Sequence, residues 1–271
     1  MQKPNIIFIL ADDMGYGDAS CYGAEKIHTP HIDNLSEEGI RFTDAHSSSA
    51  VCTPSRYSVI TGRYCWRSSL KNGVLGGHGR PLIEKERTTV ASILKKNGYH
   101  TAAFGKWHLG LDWAVKPDHE LKEEFDGIQE KDPFMYDYSK PFTGGPIELG
   151  FDYFYGIAGS LDMPPYCFLE NDQTVGIPNR EKEHYYPQQR RGLQTENWND
   201  LNVDRTFVSK AKEYIKNQVS KKPEKPFYIH LALAAPHRPC LPPDFIKGKS
   251  RAGNRGDMVE LVDWAVGEID N

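Results

Sequence analysis

The chain has 271 residues, 38% of them hydrophobic and 26% charged, with a formal net charge of -4. This is the composition of a soluble globular protein of one large domain or two ordinary ones. The acidic balance argues against a nucleic-acid binder and leaves room for a small anionic ligand in a local basic site. No apolar run approaches the roughly 18–20 residues of a membrane-spanning helix, and five cysteines without metal-type spacing imply no disulfide framework.

In chain order, Asn5 to Leu10 is a continuous apolar run that predicts a strand buried on both faces. It leads into Ala11-Asp12-Asp13-Met14-Gly15-Tyr16-Gly17-Asp18. Two adjacent carboxylates at a buried strand exit are costly without a cation, so a hard-cation site is one reading. An Asx turn with solvated aspartates is the other. Thr29-Pro30 opens a helix through Glu38, closed by Gly39, with Ile32 and Leu35 on one face. Ile40 to Ala45 predicts a second strand, followed by His46-Ser47-Ser48-Ser49.

Val51 to Gly62 then predicts a loop feeding a helix. Thr53 suits the N-cap, Pro54 the first helical position, and Gly62 the stop. Cys52 falls beside the helix N-terminus, where the dipole favours an anion or a thiolate. Arg56 lies about one turn on, so its guanidinium returns to the same face. A thiol with a fixed cation beside it is a candidate nucleophile; a buried structural cysteine is the alternative.

Lys71 to Pro81 is glycine-rich but lacks the Lys-Ser/Thr of a phosphate loop, and reads as an irregular connection. Thr88 to Asn97 is an amphipathic helix with Gly98 at its end. Tyr99 to Phe104 is a strand running into Gly105-Lys106-Trp107-His108-Leu109-Gly110. Lys106 and His108, two apart, share a side if the backbone is extended. Residues 112–200 are rich in Pro, Gly, Tyr and Phe and predict an irregular excursion from the sheet. Within it, Tyr166, Tyr185, Tyr186 and Trp198 suit either an aryl or sugar platform or a small hydrophobic cluster. Asp204 to Val219 is a helix, and Pro226 to Leu233 is a buried strand ending in Ala234-Ala235-Pro236-His237. Gly256 to Ile269 is a last helix.

Strands alternate with helices, which predicts an α/β fold: a mostly parallel central sheet with helices on both faces. Ligands of such sheets bind at the carboxyl ends of the strands. Asp12/Asp13, Lys106/His108 and His237 stand at three strand exits, and the residue-52 helix follows a fourth predicted strand.

Cys52-Thr53-Pro54-Ser55-Arg56 with Thr61-Gly62-Arg63 resembles the Cys-X-Pro-X-Arg signature of the formylglycine-dependent sulfatases. Asp12 to Asp18 is similar to that family's metal loop. Gly105 to Gly110, Gly150 to Gly156 and Ala235-Pro236-His237 are similar to further motifs of the same family. The resemblance runs through the whole chain but covers only the N-terminal portion of a sulfatase, an alkaline-phosphatase-like core.

The resemblance implies hydrolysis of sulfate esters, with a sulfated carbohydrate the first expectation. It implies that Cys52 is oxidised by a maturation enzyme to formylglycine, whose hydrate attacks sulfur. Asp12, Asp13 and the modified Cys52 would bind Ca²⁺, or Mg²⁺. Arg56 would orient the hydrate and His108 assist its deprotonation. Lys106 and His237 would grip the sulfate, His237 would protonate the leaving oxygen, and Ser160 falls where many sulfatases place a site serine. The expected location is periplasmic or secreted, with a cytoplasmic protein the alternative because no signal peptide precedes the first strand.

One departure stands out. The family completes its metal site with an Asp-Asn pair on a later strand, followed by a second lysine. Neither Asp270-Asn271 nor Asp33-Asn34 follows a buried strand. The expectation is a fragment of residues 1–271 without the last ligand strand and the C-terminal domain, inactive alone. A phosphonate or phosphate monoester hydrolase of the same superfamily and a non-catalytic anion- or glycan-binding homologue are the alternatives.

Overall fold

The computed structural model describes residues 3–119, 132–183 and 189–270. In chain order these carry β1 (Ile6–Leu10), α1 (Pro30–Glu38), α2 (Cys52–Thr61), α3 (Val90–Lys96), β2 (His100–Lys106), β3 (Tyr153–Ile157), β4 (Leu169–Glu170), β5 (Gln173–Thr174), β6 (Arg180–Glu181), β7 (Leu193–Gln194), α4 (Val203–Lys221), β8 (Phe227–Ala232) and α5 (Gly253–Asp270). The central sheet has the order β1-β8-β2-β3-β4-β5. Its first four strands are parallel, so each returns through a crossover, and β4 and β5 close the far side antiparallel. β6 and β7 form a separate two-stranded ribbon.

Strand alternation divides the core in two. Ala102, Phe104, Ile229 and Leu231 face α4 and α5 and pack with Phe207, Val208, Ala211, Leu261 and Ala265. Ala103, Phe154 and Tyr228 face the other way, toward Tyr57 and Ile60 of α2 and Ala91 of α3. Each fully buried Phe, Leu or Ile contributes about 1.5–3 kcal/mol. The helices therefore lie on both faces, as the sequence pattern predicts.

Three expectations are corrected. β1 is not buried on both faces: it pairs only with β8 among the described residues, and Ile7 is 39% exposed. An apolar run alone does not distinguish a central from an edge strand. Residues 40–45 form no strand; Ile40 is 82% and Phe42 66% exposed, with no partner strand beside them among the described residues. Lastly, the 112–200 segment does not lie wholly outside the sheet, because β3 pairs in register with β2. Its alternating Tyr-Phe-Tyr lies in a Pro- and Gly-rich composition that masks the strand. No helix of the described residues is long and apolar enough to cross a membrane.

Candidate active site

β1, β8 and β2 are neighbours, so their exits lie side by side. The Asp12 N–H donates to the Ala235 carbonyl at 2.9 Å, joining the β1 exit to the β8 exit. Gly105 lets β2 pass the same turn: its φ is +102°, and a Cβ there would sit 1.9 Å from the Ala232 carbonyl oxygen. Only glycine meets both conditions. Lys106, the next residue, is thereby delivered to Asp12.

Asp12, Lys106, Arg56 and His108 are all buried. The Lys106 ammonium hydrogen-bonds Asp12 Oδ2, and Arg56 Nη2 lies 3.3 Å from Oδ1, so each carboxylate oxygen faces one cation. Burial alone would raise the Asp12 carboxyl. The charges of Lys106, Arg56 and His237 outweigh it and hold the group well below the usual carboxylate range. Arg56 is fixed from a second side, Nη1 donating to the Lys106 carbonyl at 2.6 Å.

α2 starts at Cys52 itself, with Val51 in the N-cap position. The Thr53 hydroxyl does not cap the helix as expected; it donates to the His108 carbonyl at 3.0 Å and accepts from Leu75 N–H at 3.2 Å. Gly62 ends the helix in left-handed backbone, φ +67°, as expected. The thiolate expectation fails as well. Burial pushes the Cys52 thiol up despite the opposing Lys106 charge, so the unmodified side chain is a neutral thiol at pH 7.

β2 ends at Lys106, and His108 sits in left-handed backbone with φ +55°. The two residues therefore reach the site by a turn, not by the extended spacing the sequence suggested. His108 Nε2 lies 2.7 Å from the Leu75 carbonyl, an acceptor, so Nε2 carries the proton. Nδ1 is then unprotonated, and it is buried without a hydrogen-bond partner among the described residues. Burial, then the Lys106 charge, keep the imidazole well below its ordinary pKa, hence neutral.

One ligand atom each from Asp12, Cys52 and His237 lies within 4.8 Å of the others. His237 Nδ1 donates to the Arg238 carbonyl at 2.6 Å, leaving Nε2 3.6 Å from Asp13 Oδ2. The Asp13 side chain is half exposed, and its φ is +66°. Arg255 Nη2 clamps it, contacting both the Asp13 carbonyl and Asp18 Oδ2 at 2.7 Å. Two carboxylates, one of them buried and ionised, suit a hard divalent cation that takes oxygen ligands. A thiol at position 52 does not suit it; an oxygen there would.

Ser160 is buried and donates to Asp162 Oδ1, and Asp162 Oδ2 lies 3.4 Å from Arg238 Nε. It is thus linked to the His237 turn through Asp162 and Arg238, and no hydrogen bond joins it to Lys106 or Cys52 among the described residues. Tyr166 is buried in a cluster with Trp198 and Phe168, the second of the two readings open for it; Tyr185 and Tyr186 lie outside the described residues. Sequence reasoning missed Asp162, Arg255 and Asp204. Each is a lone charged residue in an unremarkable context, and only its position in space reveals its partner.

A family model described as Sulfatase matches residues 4–270. The chain is 35% identical to N-acetylgalactosamine-6-O-sulfatase of Bacteroides thetaiotaomicron, over all of this chain and 55% of that protein. It is 43% identical to human arylsulfatase A, over 99% of this chain and 48% of that one. A solved structure described under the metabolism of multiple glycosaminoglycans by Bacteroides thetaiotaomicron superposes with a TM-score of 0.81 at 32% identity. It covers 99% of this chain and 58% of its own. The chain spans about half the length of these relatives.

Proposed function

The chain belongs to the sulfatase family, and from that premise we propose that it carries the nucleophile-bearing part of an active site hydrolysing sulfate esters of a sulfated carbohydrate. One observation carries the reading. Asp12, Cys52 and His237, from three separate elements, converge within 4.8 Å beside the buried cations Lys106 and Arg56.

A sulfate ester is an anion with peripheral oxygens and a poor leaving alkoxide. Its hydrolysis needs fixed positive charge, an oxygen nucleophile and a proton for the leaving oxygen. Formylglycine made from Cys52 would supply the nucleophilic oxygen, and a divalent cation, calcium or magnesium, held by Asp12, Asp13 and residue 52 would supply positive charge beside it. Lys106 binds the sulfate oxygens through its ammonium. Arg56, pinned by the Lys106 carbonyl and Asp12, holds its guanidinium toward residue 52; its Nε is buried and makes no hydrogen bond among the described residues. His108, with its proton on Nε2, presents Nδ1 to take a proton near residue 52. His237 binds sulfate and, protonated at Nε2, delivers a proton to the leaving oxygen. Ser160 supports the His237 turn through Asp162 and Arg238.

Calcium takes roughly 6–8 oxygens, more than Asp12, Asp13 and residue 52 provide. In this proposal residues outside 1–271 supply the rest, and residues 1–271 alone turn over no sulfate ester. The maturation enzyme is a required partner, and the protein works in the periplasm or outside the cell.

The test is mass spectrometry of the tryptic peptide 42–56 from protein made in its natural host, paired with turnover of sulfated sugars by the matured enzyme. An aldehyde at position 52 and chelator-sensitive turnover are expected. An unmodified thiol in an active enzyme overturns the nucleophile assignment. Phosphonate turnover exceeding sulfate turnover overturns the substrate class.

A further inference from the structure

Asp204 is fully buried inside α4, and no described lysine, arginine or histidine pairs with it. It does not cap its own helix, whose N-cap is Asn202. Its carboxylate instead accepts from Ala234 N–H at 2.7 Å. That amide lies beyond the end of β8 at Ala232, where the ladder no longer provides acceptors. Leu233 makes the last strand-like bond, donating to Leu10 at 2.9 Å. Two residues on, the Ala235 carbonyl receives the Asp12 N–H. The Ala234 amide is therefore held by Asp204, while the next residue, Ala235, holds Asp12. His237 follows two residues later, and its N–H closes the turn onto the Ala234 carbonyl at 3.1 Å.

We propose that Asp204 is a positioning residue, whose carboxylate extends the sheet ladder past the end of β8 and so fixes Asp12 and His237 relative to each other. A buried carboxylate is costly without compensation, and the Ala234 N–H at 2.7 Å is compensation it finds among the described residues. It touches neither substrate nor nucleophile. Its catalytic consequence rests on the sulfate-ester reading above; its geometric consequence does not.

The test compares wild type, Asp204→Asn and Asp204→Ala in the matured enzyme that carries this chain. Amide hydrogen exchange is read at Asp12 and at residues 233–237, with Ala102–Phe104 in β2 and residues 208–211 in α4 as controls. Asparagine keeps one acceptor and is isosteric, so it remains informative if the alanine variant fails to fold. The expected result is exchange at Asp12 and 233–237 faster by about tenfold in the asparagine variant, the equivalent of one hydrogen bond to a charged group, with the controls unchanged. Turnover of a sulfate ester should fall in the same order, by up to about 10²-fold, as expected for misplaced reacting groups. Unchanged exchange at Asp12, or acceleration spread equally over the controls, overturns the proposal. A wild-type enzyme without sulfate-ester turnover overturns the functional reading and leaves the exchange result to decide the role of Asp204.

Discussion

Replacing Lys106 with methionine tests the electrostatic centre of the site. The methionine keeps most of the apolar stem and removes the ammonium that neutralises Asp12 Oδ2. Losing one partner of a buried ion pair costs about 3–5 kcal/mol, because a charge is left without compensation. Arg56 remains 3.3 Å from the other oxygen, so the lower end, about 3 kcal/mol, applies. In a chain of this size that lowers Tm by about 6–12 °C. The assay is thermal unfolding at pH 7.5 with chelator present, on Lys106→Met, Asp12→Asn and the double variant. The double variant should recover about 2 kcal/mol relative to additivity. The sign with pH follows from the depressed Asp12 pKa. Its contribution is full above the unfolded value near 3.8 and is lost as pH falls toward the folded value, so the gap between wild type and Lys106→Met narrows in acid. A Tm change under about 2 °C, or strict additivity in the double variant, would refute the reasoning.

Four further outcomes are expected. Gly105→Ala, whose Cβ would collide with the Ala232 carbonyl oxygen, should prevent folding. Gly62→Ala, with the same backbone sign and open space around it, should cost only about 1–2 kcal/mol in urea unfolding. Thr89 caps α3 by accepting from Ser92 N–H at 3.0 Å and also donates to the Leu149 carbonyl at 2.6 Å; Thr89→Ala should lower stability by about 2 kcal/mol on the same assay. Burial raises the Asp204 carboxyl to about 6, so its proton is held more tightly in the folded state. Stability should fall as pH rises from the unfolded value to about 6, by about 3 kcal/mol from this group. Asp204→Asn should remove that slope in a pH series of urea titrations.

The site was legible where a motif coincided with a strand exit. Asp12 follows β1, Lys106 ends β2 and His237 follows β8, and these strands are neighbours in the sheet, so local patterns and the parallel topology pointed to one place. The helices on both faces of the sheet followed from the alternation of strands with helices along the chain. What failed was whatever depends on a distant partner. Residues 40–45 have a strand-like pattern but no neighbour to pair with among the described residues. β3 was hidden because its aromatic alternation lies in a loop-like composition. Thr53 occupies a capping position in sequence, yet its hydroxyl is claimed by His108 and Leu75, from a loop and a strand exit far along the chain.

The buried carboxylates show why such partners decide function. Asp12, Asp204 and Asp263 are all buried aspartates, and nothing in their composition separates them. Asp263 lies in α5 and accepts from the Ile32 N–H of α1 at 2.8 Å; burial raises its carboxyl, as it does that of Asp204. Both are met chiefly by backbone N–H groups, which satisfy oxygen lone pairs but bring no net charge. Asp12 is met by an ammonium and a guanidinium, and its carboxyl moves the opposite way. Backbone partners turn a carboxylate into a clamp between elements; cationic partners turn it into one pole of a charged site. The helix position of Asp204 and the strand-exit position of Asp12 hint at the difference. The partner groups make the difference: an ammonium and a guanidinium at Asp12, backbone N–H groups at Asp204 and Asp263.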